Sequence, residues 1–156
     1  MIRSSDLREA LASLIKIKAG LNLRVFYNHV ENCAENYCWV RLRPKHTNES
    51  FGIIQRKIRV DFQIVLSPIN GQVKHTDLLD IIDKLDEVTC EPLKIGDRFI
   101  TIYDAESIIF DNILTYSFIV DFTDCVETYF ELMKEFEFME KLEVRNLDDK
   151  NFIVEE

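Results

Sequence analysis

The sequence predicts an α+β fold, in which a single, mainly antiparallel β-sheet carries helices packed on one face. Segments 57–68 and 113–124 alternate between apolar and polar side chains over almost their whole length, which is typical of half-buried strands. Segments 7–18 and 78–88 instead repeat apolar residues every three or four positions, which indicates amphipathic helices. A chain of 156 residues is long enough to bury the core of one domain without a metal or a disulfide.

The first quarter of the chain is expected to form a helix followed by two strands. Asp6 and Glu9 have the spacing of a capping box at the start of the helix, and Gly20 is expected to end it. Short strands are predicted at 24–28 and 37–43.

The stretch 44–55 is predicted to be a loop that is mobile in the free subunit. It begins with Pro44, which is expected to end the preceding strand, and it shows no apolar period. Long polar connections of this kind tend to be functional or flexible.

A second helix and two short strands are predicted between the two long strands. The helix begins at Thr76 or Asp77, and its apolar stripe consists of Leu78, Ile81, Ile82, Leu85 and Val88. Strands follow at 98–103 and 105–110.

The two long strands are expected to be neighbours or near neighbours and to supply much of the core. Asp111 and Asn112 are suited to a two-residue hairpin turn that leads into the second of them. Phe62 and Phe118 should be buried. They share the apolar faces of the two strands with Ile58, Val60, Ile64, Leu66, Leu114, Tyr116, Val120 and Phe122.

The C-terminal part of the chain is predicted to return to a helical pattern from about Glu127. The expected organisation is one domain at 1–145 followed by an acidic C-terminal tail at 146–156.

Charge is distributed unevenly along the sequence. The whole chain has a net charge of −9, yet residues 41–59 contain six Lys or Arg and one acid, Glu49. Residues 60–120 carry four basic and eleven acidic groups, and residues 121–156 carry four and twelve. A basic middle and an acidic end suit contact with copies of the same chain, or with another acidic protein, at least as well as contact with DNA.

The sequence contains no motif for catalysis or for binding a cofactor or metal. Neither a phosphate-binding glycine loop nor a nucleophile motif occurs, and the three histidines form no metal-ligating pattern. Cys33 and Cys38 lack a matching second pair, which favours buried thiols over zinc. The scattered cysteines favour reduced thiols in a cytoplasmic product, and no apolar run is long enough to span a membrane.

Two groups of residues have both a functional and a structural interpretation. The acids between Asp77 and Glu87 resemble the metal ligands of a nuclease, but they fit the solvated face of an amphipathic helix better. Tyr116, Phe118 and Phe122 have the spacing of a base-stacking surface, but no basic residue alternates with them, so core packing is favoured.

The order of the segments is the most informative feature of the chain. The helix LREALASLIKI precedes LRVFYNHV, YCWVRLRP, RKIRVDFQIVLSP, the helix LLDIIDKLDEV, the strand pair ESIIFDNILTYSFIVDF and a closing MEKL. In this order, over about residues 5–145, the chain resembles the tail terminator family of tailed phages and phage-like particles. It departs from the family pattern in one acidic insertion, DCVETYFELMKEFEF.

The resemblance implies a structural protein rather than an enzyme. Tail terminators form a ring, usually a hexamer, that caps the tail tube, stops its polymerisation and joins it to the neck. The implied partners are copies of the chain itself, the tail tube protein, and the sheath and neck or connector proteins. The implied location is the tail of a virion or phage-like particle made in the bacterial cytoplasm. No cofactor, metal, membrane or sequence-specific nucleic acid is implied.

The basic segment is the candidate interface with a neighbouring subunit or with the tube. Its residues are Arg41, Arg43, Lys45, Arg56, Lys57 and Arg59. Subunits of a closed ring make heterologous contacts, so a basic flank would complement an acidic helix on the next copy. Changing Arg56 and Lys57 to Glu is expected to impair assembly while leaving the monomer folded. The alternative is a solvated loop, since exposed ion pairs contribute only about 0–1 kcal/mol.

Three other functions remain open from the sequence. They are a neck or head-completion adaptor of the same particle, a metal-dependent nuclease that uses the acids of 77–87, and a nucleic-acid-binding module that uses 41–59. A closed ring of about six copies is expected of the structural proteins and of neither other class.

Overall fold

The computed structural model describes residues 1–29, 33–68 and 71–125, and the statements below refer to those residues. The elements are α1 (Ser4–Ser13), a π-helical turn (Leu14–Lys18), β1 (Arg24–Phe26), β2 (Tyr37–Ser50), β3 (Ile53–Val65), α2 (His75–Thr89), β4 (Leu93–Ile95), β5 (Arg98–Ile100), β6 (Ile102–Phe110) and β7 (Ile113–Cys125). The helix predicted beyond Glu127 and the tail at 146–156 lie outside the described residues.

The five-stranded sheet confirms the prediction of a mainly antiparallel α+β fold. Its strand order is β1-β2-β3-β7-β6, and β1 is the strand that runs parallel to its neighbour. Strands β4 and β5 form a separate small hairpin. The two long strands are direct neighbours, as predicted, because β3 pairs with β7 over its full length, from Ile53 opposite Cys125 to Val65 opposite Ile113.

The core lies between one face of this sheet and the helices. Phe62 and Phe118 are fully buried, as predicted, and their rings meet edge to face with centroids 5.3 Å apart. The alternation of β3 and β7 fills this core with Ile58, Val60, Ile64, Leu114, Tyr116, Val120 and Phe122, and the helices add Leu7, Leu11, Leu14, Ile15, Leu78, Ile81 and Leu85.

The start of α1 differs from the sequence prediction. The helix begins at Ser4, and Asp6 occupies its third position rather than the N-cap. There the Asp6 carboxylate accepts a hydrogen bond from the Arg3 backbone N–H at 3.0 Å, so it satisfies a donor that the helix leaves unpaired. The predicted end is confirmed: Gly20 adopts φ 60°, and the Leu21 N–H donates to the Ile15 carbonyl at 3.1 Å.

The prediction of a loop at 44–55 is wrong. Strand β2 continues through Pro44 to Ser50, and Phe51 and Gly52 turn the chain into β3. Beyond Trp39, β2 has no described strand on its outer side, and an edge strand tolerates proline where the missing N–H points away from the sheet. The apolar period is absent because residues 44–50 are exposed on both faces of the strand.

The turn between β6 and β7 confirms the two-residue hairpin prediction. Asp111 and Asn112 have φ of 50° and 60°, the left-handed pair that matches the twist of the flanking strands. The two short strand predictions need adjustment, since Arg98–Ile100 pairs with β4 while β6 begins at Ile102 and joins the main sheet.

None of the helices in the described residues is long and apolar enough to cross a membrane.

Candidate protein interface

The two faces of the five-stranded sheet have different surroundings. One, the covered face, packs against α1, α2 and the β4–β5 hairpin. No described helix lies on the other, which we call the open face. Because side chains alternate along a strand, the positions of β3 and β7 that alternate with the buried apolar residues, and the residues of β2 opposite them, point to the open face.

Five basic side chains of the predicted set lie together on the open face. They are Arg41, Arg43 and Lys45 of β2 with Lys57 and Arg59 of β3, and we call them the cationic strip. The register places Arg43 directly opposite Arg59 and Lys45 directly opposite Lys57. Like charges in directly opposed positions destabilise a sheet. Two such pairs in succession therefore work against folding unless nearby acids offset them.

Asp61 supplies most of that offset. Its side chain is 2 % exposed, and it accepts hydrogen bonds from Arg43 Nη2 at 2.8 Å and Ser117 Oγ at 2.7 Å. Arg59 Nε lies 3.4 Å and Arg41 Nη2 lies 3.9 Å from the same carboxylate. Burial alone would raise the pKa of Asp61, but the Ser117 hydrogen bond and the neighbouring arginines outweigh it and lower the pKa.

Two further carboxylates border the cationic strip and leave its positive charge in excess. Glu106 of β6 pairs with Arg59, and Asp121 of β7 lies opposite Lys57 and accepts a hydrogen bond from Gln55 at 3.1 Å. Five cations thus meet three acids. The side chains of Arg41, Arg43 and Arg59 remain 46 %, 62 % and 42 % exposed, so guanidinium N–H groups face the solvent.

Arg56, the sixth residue of the predicted interface, does not join the cationic strip. It alternates with Lys57 and lies opposite Phe122 on the covered face, where its side chain is 18 % exposed. Its guanidinium donates to the Ile2 carbonyl at 2.7 Å and lies 3.7 Å from Asp124. The expectation that the fold does not need Arg56 is therefore at odds with the structure, because this residue ties the N-terminus to the sheet.

Aromatic and apolar side chains border the cationic strip on the open face. The Arg41 guanidinium lies over the Trp39 ring at 5.1 Å, a cation–π contact. The buried Trp39 indole N–H has no acceptor among the described residues. Tyr103, Ile108 and Phe110 of β6 lie on the same face and are 49 %, 59 % and 79 % exposed. The open face thus combines positive charge with apolar area, as protein interfaces do.

Helix α2 carries the opposite charge on the other side of the molecule. Asp80, Asp83 and Glu87 lie opposite its buried residues at spacings of three and four, and all three are exposed. We call them the acidic stripe. None forms an ion pair with another described residue. Like charges at these spacings are slightly unfavourable within a helix, and Lys84, four residues after Asp80, offsets part of that repulsion.

The other candidate groups form no metal site in the residues that the structure describes. In the described part of the chain, no three His, Cys, Asp or Glu side chains are placed to hold a metal ion. All four cysteines are free, and burial raises the pKa of the Cys38 thiol, which makes it a packing residue. Tyr116 and Phe118 are buried in the core, so they do not form a base-stacking surface.

Comparisons with known proteins do not identify a family for this chain, so its function is argued from the geometry described above. No protein-family model matches the chain, and a search among curated proteins returns no significant match.

Asp61 and Ser117 are the residues of this surface that sequence reasoning missed. Both occupy polar positions of alternating strands, where side chains are expected to be solvated. The sequence feature that could have revealed this site is Asp61 itself, an acid that lies two residues after Arg59 at the end of the basic segment. Its use required the register of β2 against β3, which places Arg41 opposite Asp61 and Arg43 opposite Arg59.

Proposed function

We propose that this protein is a structural subunit that assembles head to tail into a ring and terminates the tail tube of a phage or phage-like particle. The observation that carries the proposal is the presence of two successive pairs of opposed like charges, Arg43 with Arg59 and Lys45 with Lys57, on the open face. A fold gains nothing from this repulsion, whereas a surface that binds an acidic protein does. The order of elements, which resembles that of tail terminators, gives the proposal its biological setting.

The proposed subunit has no catalytic activity and needs no cofactor. Its partners are copies of itself, the tube protein, and the sheath and neck proteins of the same particle. The acids of α2 act as a charged surface and not as metal ligands. Metal-dependent cleavage of DNA or RNA that disappears in the double variant Asp80→Ala, Asp83→Ala would contradict this part of the proposal.

Tube capping is the direct test of the proposal. Purified tube subunits should polymerise to uncontrolled lengths alone and stop at a narrow length distribution when this protein is added, as seen by electron microscopy. Native mass spectrometry should find a closed ring of about six copies, the cyclic symmetry that head-to-tail contacts produce. A protein that stays monomeric and leaves tube length unchanged would not be a terminator.

The same materials separate a terminator from a neck or head-completion adaptor. A terminator binds the end of the tube in the absence of any head protein. An adaptor binds the head connector and does not retain isolated tubes. Cosedimentation with tubes alone, and with connector alone, distinguishes the two.

A further inference from the structure

We propose that the cationic strip on the open face docks against the acidic stripe of α2 on a second copy of this chain. The inference rests on the proposed function, since it names the surfaces through which the ring would close. The two surfaces lie on opposite sides of one molecule, because α2 packs on the covered face. A contact between them is heterologous, so each copy offers one surface to the copy before it and the other to the copy after it.

Charge and length both favour this occupant. The cationic strip holds five cations against three acids, while the acidic stripe holds three acids without an ion pair among the described residues. From Arg41 to Lys45 the strip extends roughly 13 Å at the rise of a strand. From Asp80 to Glu87 the stripe extends roughly 10 Å at the rise of a helix. The two surfaces therefore match in extent as well as in sign.

Apolar side chains at the edge of each surface would support the contact. Leu79 is 44 % exposed beside the acidic stripe, and Ile108 and Phe110 are exposed on the open face. An interface held by charge alone would be weak, because exposed ion pairs contribute little each. Burial of these apolar groups supplies the non-directional attraction, and the charges set which surfaces meet.

The test uses two charge-reversed variants of the full chain. The sheet variant carries Lys45→Glu and Lys57→Glu, which turns the strip from five cations and three acids into three cations and five acids. The helix variant carries Asp80→Lys and Asp83→Lys. These lysines and aspartates make no ion pair with other described residues, so both variants should fold with near wild-type melting curves.

Neither variant should assemble alone, since acid would face acid in one and cation would face cation in the other. An equimolar mixture should restore a closed assembly in which the variants alternate, as seen by native mass spectrometry. A matched control with Lys16→Glu and Lys94→Glu makes the same charge change away from both surfaces. It should assemble alone, and it should not restore assembly of the helix variant beyond its own share.

A single change sharpens the test further. Lys45→Glu places a carboxylate directly opposite Lys57, so the monomer should melt at an unchanged or higher temperature. Its association should nevertheless weaken several-fold. A purely structural role of Lys45 does not produce opposite effects on melting and on association.

Each remaining outcome overturns the inference. If both variants lose assembly and their mixture does not restore it, the two surfaces do not meet each other. If the sheet variant assembles normally, whatever its melting temperature, the strip is not the surface that joins the copies. If it assembles normally but loses binding to DNA, the strip is a nucleic-acid surface. If the mixture restores rings that fail to cap tubes, the inference stands and the terminator proposal is refuted. If each variant alone caps tubes normally, the terminator proposal stands and the inference is refuted.

Discussion

Asp61 and Asp124 are both buried carboxylates beside arginines, and their surroundings differ in one respect. Asp124, on the covered face, accepts hydrogen bonds from the Ile2 N–H at 3.0 Å and from Arg98 at 2.7 Å. Arg98 also donates to the Thr123 carbonyl and Arg56 to the Ile2 carbonyl, so the donors of this cluster bind groups of the same molecule. Asp61 instead lies beside three arginines that are 42 % to 62 % exposed, whereas the two beside Asp124 are 18 % and 44 % exposed.

The difference separates a structural cluster from an interaction surface. Around Asp124, one carboxylate and two arginines tie together the N-terminus, β5 and β7. Around Asp61, one carboxylate reduces the repulsion between Arg43 and Arg59 but leaves a positive surface. Asp61 offsets only part of the positive charge of this surface. The charge that remains is suited to binding an acidic partner.

The largest expected effect tests whether stability resides on the covered face. Phe118→Ala should lower the free energy of unfolding by about 3–5 kcal/mol, because Phe118 is fully buried against Phe62. Thermal melting should fall by about 6–20 °C at this chain length. Phe110→Ala on the open face is the matched control, and it should melt near the wild type because that ring is 79 % exposed. Equal losses in both variants would contradict the assignment of the faces.

The next effect tests the closed cluster. Asp124→Ala should cost about 2–3 kcal/mol, because it removes charged hydrogen bonds and leaves the Ile2 N–H without its acceptor. Hydrogen exchange of the amides at the start of α1 should accelerate with it. Asp83→Ala removes an exposed carboxylate and should change monomer stability by less than about 0.5 kcal/mol. Unchanged exchange near Ile2 would show that Asp124 does not hold the N-terminus.

Sequence patterns predicted the covered face well and the open face poorly, and the reason is physical. Burial of one face imposes a period of two on β3 and β7, and Phe62 and Phe118 follow it directly. Nothing imposes a period on residues 44–50, which are exposed on both faces, so the extension of β2 left no apolar signal. The basic residues were evident from composition. The sequence did not show which face of the sheet each of them occupies. That Arg56 lies apart from the rest became clear only from the strands as they extend in the structure.

A smaller effect tests the charge of Asp61 through pH. The pKa of Asp61 is lowered in the folded protein, so its contribution is present above the unfolded pKa of about 4 and is lost as pH falls through the folded value. Asp61→Asn should cost about 1 kcal/mol at pH 7, since an amide oxygen still accepts from Ser117 but lacks the charge. Urea unfolding should show this difference shrinking toward pH 3. A difference that stays constant would mean that the Asp61 charge is not what stabilises the cluster.

The last prediction concerns salt, which should have the smallest effect on the stability of the monomer and a clear effect on its assembly. Raising the salt concentration from about 0.1 M to 1 M shortens the screening length from about 10 Å to about 3 Å. The melting temperature of the monomer should change little, because Asp124 is buried and the core is apolar. Association through the cationic strip should weaken several-fold over the same range, as measured by sedimentation, because its arginines and lysines are exposed. Salt strengthens association that depends on apolar burial alone. An assembly that tightens with salt would therefore assign the contact to the apolar residues of β6 and would remove the cationic strip from the interface.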